Sequence, residues 1–138
     1  MNDEKQTLKK LKKQGLSIQV EKDEKIIFQS FDGMLKPLYQ CLNEHAEDMQ
    51  GATVIDKVVG RAAAYLCIMG QVEKVITPLA SDTAKQVLHE NNITLYASEV
   101  IPYIINRDKT GMCPMEKLAI ESKSPEAFYA KLATIITT

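Results

Sequence analysis

The chain has 138 residues, of which 45% are hydrophobic, 25% charged and 6% aromatic, with no Trp and a formal net charge of −1. That length suits one domain with a buried core, and the near-neutral balance excludes the global basic field that recruits nucleic acid. No apolar run approaches the ~20 residues that cross a bilayer. Met1-Asn2-Asp3-Glu4-Lys5 lacks the apolar centre of a signal peptide. Cys41, Cys67 and Cys113 are odd in number and widely spaced, which fits reduced thiols in a cytoplasmic protein better than a disulfide framework.

Residues 3–14 read as a helix whose only large apolar side chains are Leu8 and Leu11, stopped by Gly15. It either packs on the domain or stays peripheral, with Lys9, Lys10, Lys12 and Lys13 either a solvated face or a patch for an anionic partner. Leu16, Ile18 and Val20 alternate with polar residues, as do Ile26 and Phe28, which predicts a half-buried hairpin turning near Asp23. Asp32-Gly33 ends that pattern. A helix over about 34–48 follows, with Leu35, Leu38, Leu42 and Ala46 on one face and Pro37 tolerated in its first turn.

Residues 52–55 (Ala-Thr-Val-Ile) lack polar alternation, as in a strand covered on both faces. A helix rich in small residues comes next, from Val58, Val59 and Gly60 through Ala62–Ala64 and Cys67 to Gly70, with Gly60 read as a packing glycine inside it. Val72, Val75 and Ile76 predict a strand, Ser81-Asp82 caps a helix carrying Ala84, Val87 and Leu88, and Ile93, Leu95 and Ala97 predict another strand. Two further helices begin at Cys113-Pro114 and Ser124-Pro125, the last with Phe128, Leu132, Ile135 and Ile136 on one face. The order predicts one domain: a three-layer α/β/α sandwich on a mixed sheet of about five strands, the hairpin supplying its antiparallel edge.

In open α/β sheets ligands bind beyond the carboxyl ends of the strands. Three segments converge there: Asp56-Lys57, Ser81-Asp82 and the Asn106–Cys113 loop. They offer a cation, carboxylates and helix-start amides, a set suited to a phosphorylated or otherwise anionic ligand. The same residues also serve as helix caps and solvated charges in proteins that bind nothing. Arg107 and Asp108 either face the ligand or hold their loop by a salt bridge. Cys113 falls at a helix N-cap before Pro114, with Glu116 at capping-box spacing, which makes it either a thiolate-favouring nucleophile or a small buried hydrophobe. Cys41 and Cys67 lie on apolar helix faces and are core.

Asp56-Lys57-Val58-Val59-Gly60-Arg61-Ala62-Ala63-Ala64 and Pro102-Tyr103-Ile104-Ile105-Asn106-Arg107, continuing as Thr110-Gly111-Met112-Cys113-Pro114-Met115-Glu116, resemble an uncharacterised family, domain of unknown function 1893. The resemblance spans about residues 16–120 and implies a cytidine deaminase-like fold. Zinc deaminases need His/Cys-x-Glu opening one helix and Pro-Cys-x-x-Cys opening the next. At the matching places stand Ile55 and Lys57, then Ser81 and Ala84, which cannot hold zinc. His45-Ala46-Glu47 spells the first motif but ends a helix instead of opening one, and His89 has no ligand-like neighbours.

The resulting expectation is a zinc-free protein with no metal and no cofactor. It binds a nucleotide-like or phosphorylated ligand through Asp56, Lys57, Arg61, Ser81, Asp82, Asn106, Arg107, Asp108, Gly111, Cys113 and Glu116, with the 106–111 loop closing over it. The alternatives are an enzyme using Cys113, assisted by Asp56 or Glu116, and a homo-oligomeric scaffold associating through helices. None of these readings involves nucleic acid or a membrane.

Overall fold

A computed structural model describes residues 3–136. The described residues form α1 (Asp3–Gln14), the hairpin β1 (Ile18–Lys22) and β2 (Lys25–Ser30), α2 (Lys36–Glu44) and α3 (Ala46–Met49). They continue through β3 (Thr53–Asp56), α4 (Arg61–Gly70), β4 (Lys74–Ser81), α5 (Asp82–Glu90), β5 (Thr94–Ile101), α6 (Pro114–Glu121) and α7 (Pro125–Ile136). The hairpin turns through Asp23 and Glu24, both at positive φ, the backbone that matches the right-handed twist of its strands.

The sheet runs β2-β1-β3-β4-β5. Strand β1 is antiparallel to both β2 and β3, whereas β3, β4 and β5 are parallel, so the sheet is mixed as the element order predicts. Successive side chains point to opposite faces. Ile18, Val20, Val54 and Val75 pack with buried residues of α2 through α7, and Ile55 and Ile76 pack with Leu8, Leu11 and Leu16 on the other face. This is a lopsided three-layer sandwich: among the described residues α1 alone covers one face. That helix is therefore part of the fold and not a peripheral arm. Leu11 is buried, and the Glu4 carboxylate pairs with Lys74 on β4.

Several boundaries differ from the sequence expectation, each for a local reason. The helix expected over 34–48 breaks at His45, where φ is −132° and the amide donates to Cys41 O, leaving a four-residue α3. Val58, Val59 and Gly60 precede α4 instead of lying in it, because Val59 bridges Ala80 of β4. Strands β4 and β5 extend to Ser81 and Ile101, well past the apolar runs that announce them. In α7, Phe128 and Leu132 are buried but Ile135 is exposed. Cys41 and Cys67 are buried free thiols, both pushed upward in pKa chiefly by burial, Cys41 to about 11. Among the described residues no helix is long and apolar enough to cross a membrane.

Candidate functional site

The carboxyl ends of β3 and β4 are held together by a short splice. Val59 N donates to Leu79 O (2.9 Å) and Ser81 N donates to Val59 O (3.1 Å), so the residue before the α4 N-cap lies beside the end of β4. Gly60 is that N-cap, and a Cβ there would meet Ile104 Cγ1 at 2.9 Å and Glu116 Oε1 at 3.1 Å. The glycine is needed for close approach of another segment to the start of α4, not for packing within it.

What approaches is Glu116. It is 2% exposed, and its carboxylate accepts from Arg61 N and from Ile104 N, both at 2.6 Å. The Thr83 hydroxyl adds a longer bond of 3.5 Å. The predicted capping box with Cys113 is absent: the Cys113 amide donates instead to Ile104 O (2.8 Å), and the thiol caps nothing. A carboxylate is the group that the positive end of a helix attracts. Here α4 receives that anion from the chain itself.

Asp56 ends β3 and is 9% exposed, with the amides of Lys57 and Val58 directed at its carboxyl group. Those amides favour ionisation, but burial outweighs them and pushes the group up to about 7. Among the described residues no cation pairs with it. Lys57 is exposed, and its amide donates to Ser17 O (3.1 Å). Arg61 is half-buried; its Nε donates to Tyr65 Oη at 2.9 Å, and its guanidinium carbon lies 5.2 Å from the Tyr65 ring centroid. Ser81 is fully buried, its hydroxyl accepting from Ala84 N (3.2 Å) as the α5 cap, while Asp82 is exposed in the first turn.

The 104–113 segment is an internally bonded hairpin. Ile105 bridges Met112, and Asn106 N donates to Gly111 O (2.9 Å). Asn106 Oδ1 accepts from Thr110 N (3.0 Å), and Asn106 Nδ2 donates to Thr110 Oγ1 (3.1 Å). This Asx-type turn, not an Arg107–Asp108 salt bridge, holds the loop. Asp108 is exposed, and Arg107 reaches Met34 Sδ at 3.3 Å, so the hairpin spans from β5 to the segment after β2. Phe31 and Met34, each 72% exposed, and the exposed Val58, Tyr103 and Ile105 lie in the segments that follow β2, β3 and β5.

The structure thus gathers Asp56, Arg61, Ser81 and Glu116 at the sheet end and sets Asn106, Arg107, Asp108 and Gly111 in the hairpin beside them. Cys113 is half-buried at the α6 N-cap. Glu116 cannot assist it while both carboxylate oxygens hold amides. Sequence reasoning missed Thr83, Ile104, Tyr65 and Met34. Of these only Tyr65 carried a signal, as the i,i+4 neighbour of Arg61 on α4. His45 lies at the α2–α3 break, 5.9 Å from the Phe28 ring, away from the site. Among the described residues no group of three or more His, Cys, Asp or Glu is placed to hold a metal. Two cavities lie elsewhere: about 420 Å³ between Lys85, His89 and the start of β5, and about 220 Å³ under α1 at Leu11 and Ile55.

No curated protein matches the chain. The crystal structure of a DUF1893 family protein (TM1506) from Thermotoga maritima superposes with a TM-score of 0.86 at 29% identity, covering 96% of this chain and 88% of that one. Acinetobacter baumannii RibD, form 2, gives a TM-score of 0.49 at 20% identity over 95% of this chain and 39% of that one, too slight a likeness to carry an argument. The family described as "Domain of unknown function (DUF1893)" matches residues 6–136, and with those residues the chain belongs to it.

Proposed function

We propose that the carboxyl end of the parallel strands binds a small nucleotide-like or otherwise phosphorylated ligand, without a metal or resident cofactor, and that Asp56 is its recognising group. The observation that carries this reading is a buried carboxyl group at a strand end with no counter-charge. Such a group is costly to keep and is typical of sites where a ligand completes the pairing. Near neutral pH it is part protonated, so it can both donate to and accept from the amide or amine edge of a heterocycle. Lys57, the next residue in the chain, is exposed, as are Arg107 and Lys109 in the hairpin after β5, and these supply the cations for a phosphate. The α4 N-terminus is not that phosphate site, because Glu116 fills it. The protein so proposed is cytoplasmic, with Cys41, Cys67 and Cys113 as free thiols.

Calorimetry of the full chain against nucleoside monophosphates and sugar phosphates tests the reading. At least one ligand is expected to bind, with affinity falling about tenfold or more in Asp56→Ala, which corresponds to losing one buried hydrogen-bonded contact. Absence of heat from the whole panel at millimolar ligand would reject it.

A further inference from the structure

Helix α5 ends in a tight turn, and beside the turn a cleft opens. Asn91 N donates to Val87 O (3.2 Å), Asn92 N to His89 O (3.0 Å) and Ile93 N to Leu88 O (2.9 Å). Those late helix carbonyls are thus satisfied by the chain that leaves the helix. Asn92 stands at φ 60°, a left-handed conformation that asparagine tolerates better than most residues. The reversal buries Ile93, 7% exposed, and starts β5 at Thr94. Here lies the cavity of about 420 Å³, lined by Lys85, His89, Asn92, Ile93, Thr94 and Leu95. Its volume falls within the roughly 300–1,000 Å³ of small-molecule sites.

The lining has two parts. Ile93 and the half-buried Leu95 belong to the larger core and give the cleft an apolar floor. Lys85, His89, Asn92 and Thr94 are exposed, and among the described residues none of their side chains has a hydrogen-bond or ion-pair partner. Their neighbours differ. Gln86 donates to Glu90 (3.4 Å), and the Asn91 side chain donates to Val87 O (2.8 Å). From Lys85 to Asn92, the polar side chains left unmatched are the ones that line the cleft. No acid lines it, and Asp82, three residues before Lys85, makes no ion pair with that lysine.

We infer that this cleft binds a small organic carboxylate with an apolar body. The Lys85 ammonium pairs with the carboxylate, and the His89 ring, the Asn92 amide and the Thr94 hydroxyl supply further donors. The hydrocarbon part lies on Ile93 and Leu95. A carboxylate suits the lining better than a phosphate does. The cleft offers one lysine and no arginine, and it lies at the C-terminal end of α5, where the helix dipole disfavours concentrated negative charge. The ligand site proposed above is at the carboxyl ends of the parallel strands, whereas this cleft is at the amino end of β5, so neither reading rests on the other.

Amide chemical shifts of the full chain, titrated with hexanoate, test the inference. Shifts are expected at Lys85, His89 and residues 92–95, saturating in the millimolar range. Acetate has the carboxylate without the body, and hexylamine has the body with the opposite charge. Each is expected to bind at least tenfold more weakly than hexanoate, as is inorganic phosphate. Lys85→Glu changes an exposed residue outside the core and is expected to weaken hexanoate tenfold or more. No saturating shift at these residues by about 20 mM hexanoate overturns the inference. So does hexanoate binding that Lys85→Glu leaves unchanged, or acetate, hexylamine or phosphate binding there as tightly as hexanoate.

Discussion

Two buried carboxyl groups sit at the same end of the sheet, and they are opposites. Glu116 is 2% exposed and saturated, holding the Arg61 and Ile104 amides at 2.6 Å each. It joins the hairpin, α4 and α6 into one unit and leaves no room even for a Cβ on Gly60. Asp56 is 9% exposed and has backbone amides but, among the described residues, no cation, so burial governs it and holds it near 7. A buried carboxylate whose oxygens are matched by donors stabilises the fold. One left short of charge compensation lowers stability, and such groups are found where a ligand is to be recognised. The difference separates a structural acid from a candidate functional one within a single cluster.

The largest expected effect is on the pH dependence of stability. The folded-state pKa of Asp56 is raised from 3.8 to about 7, so the folded chain holds a proton that the unfolded chain has released. The contribution of this group is therefore most favourable below 3.8, falls as pH rises to about 7, and is constant above that. Its full span is up to about 4 kcal/mol. Urea denaturation in Asp56→Asn is expected to lack this descent and to be more stable than the unaltered chain at pH 8. An Asp56→Asn profile parallel to that of the unaltered chain would break the comparison.

Glu116→Ala is expected to cost about 3 kcal/mol at neutral pH, because it leaves two buried amides without acceptors. Gly60→Ala probes the same junction from the other side: the new Cβ meets Ile104 and a carboxylate that is not free to move, and about 2 kcal/mol is expected. Coupling between the two substitutions, measured as a double-mutant cycle in urea, sharpens the assignment, since removing Glu116 relieves half of the clash. Ser81→Ala, which removes the α5 cap and the 3.3 Å hydroxyl contact with Thr83, is expected to cost about 1 kcal/mol.

Much of this architecture is visible in the residues. The alternation of Ile18 and Val20, the unbroken run ending at Ile55, and Ser81 before an amphipathic helix each announce an element by a local rule, and each element forms. The mixed sheet follows from a hairpin preceding βαβ units. What the sequence conceals is long range. Glu116 stands three residues after a capping position, and that spacing invites a local partner, yet its partners lie 55 and 12 residues away. Gly60 looks like an interior helix glycine until Val59 is seen bridged to Ala80. The site residues Asp56, Ser81 and Glu116 were legible as polar groups at element ends. Their division into structural and unsatisfied members was not, because it depends on which donors other segments bring. The edge character of β5 was equally hidden, since strand order is not written in strand periodicity.

Ligand recognition at this sheet end depends on Asp56 being poised near neutrality. Side-chain carboxyl NMR of the full chain, titrated from pH 3 to 9 with Asp56→Asn to assign the resonance, tests it most directly. The midpoint is expected near 7, and it is expected to shift when a nucleotide-like ligand identified by calorimetry is added. A midpoint in the ordinary carboxylate range, about 4, unmoved by ligand, would contradict it.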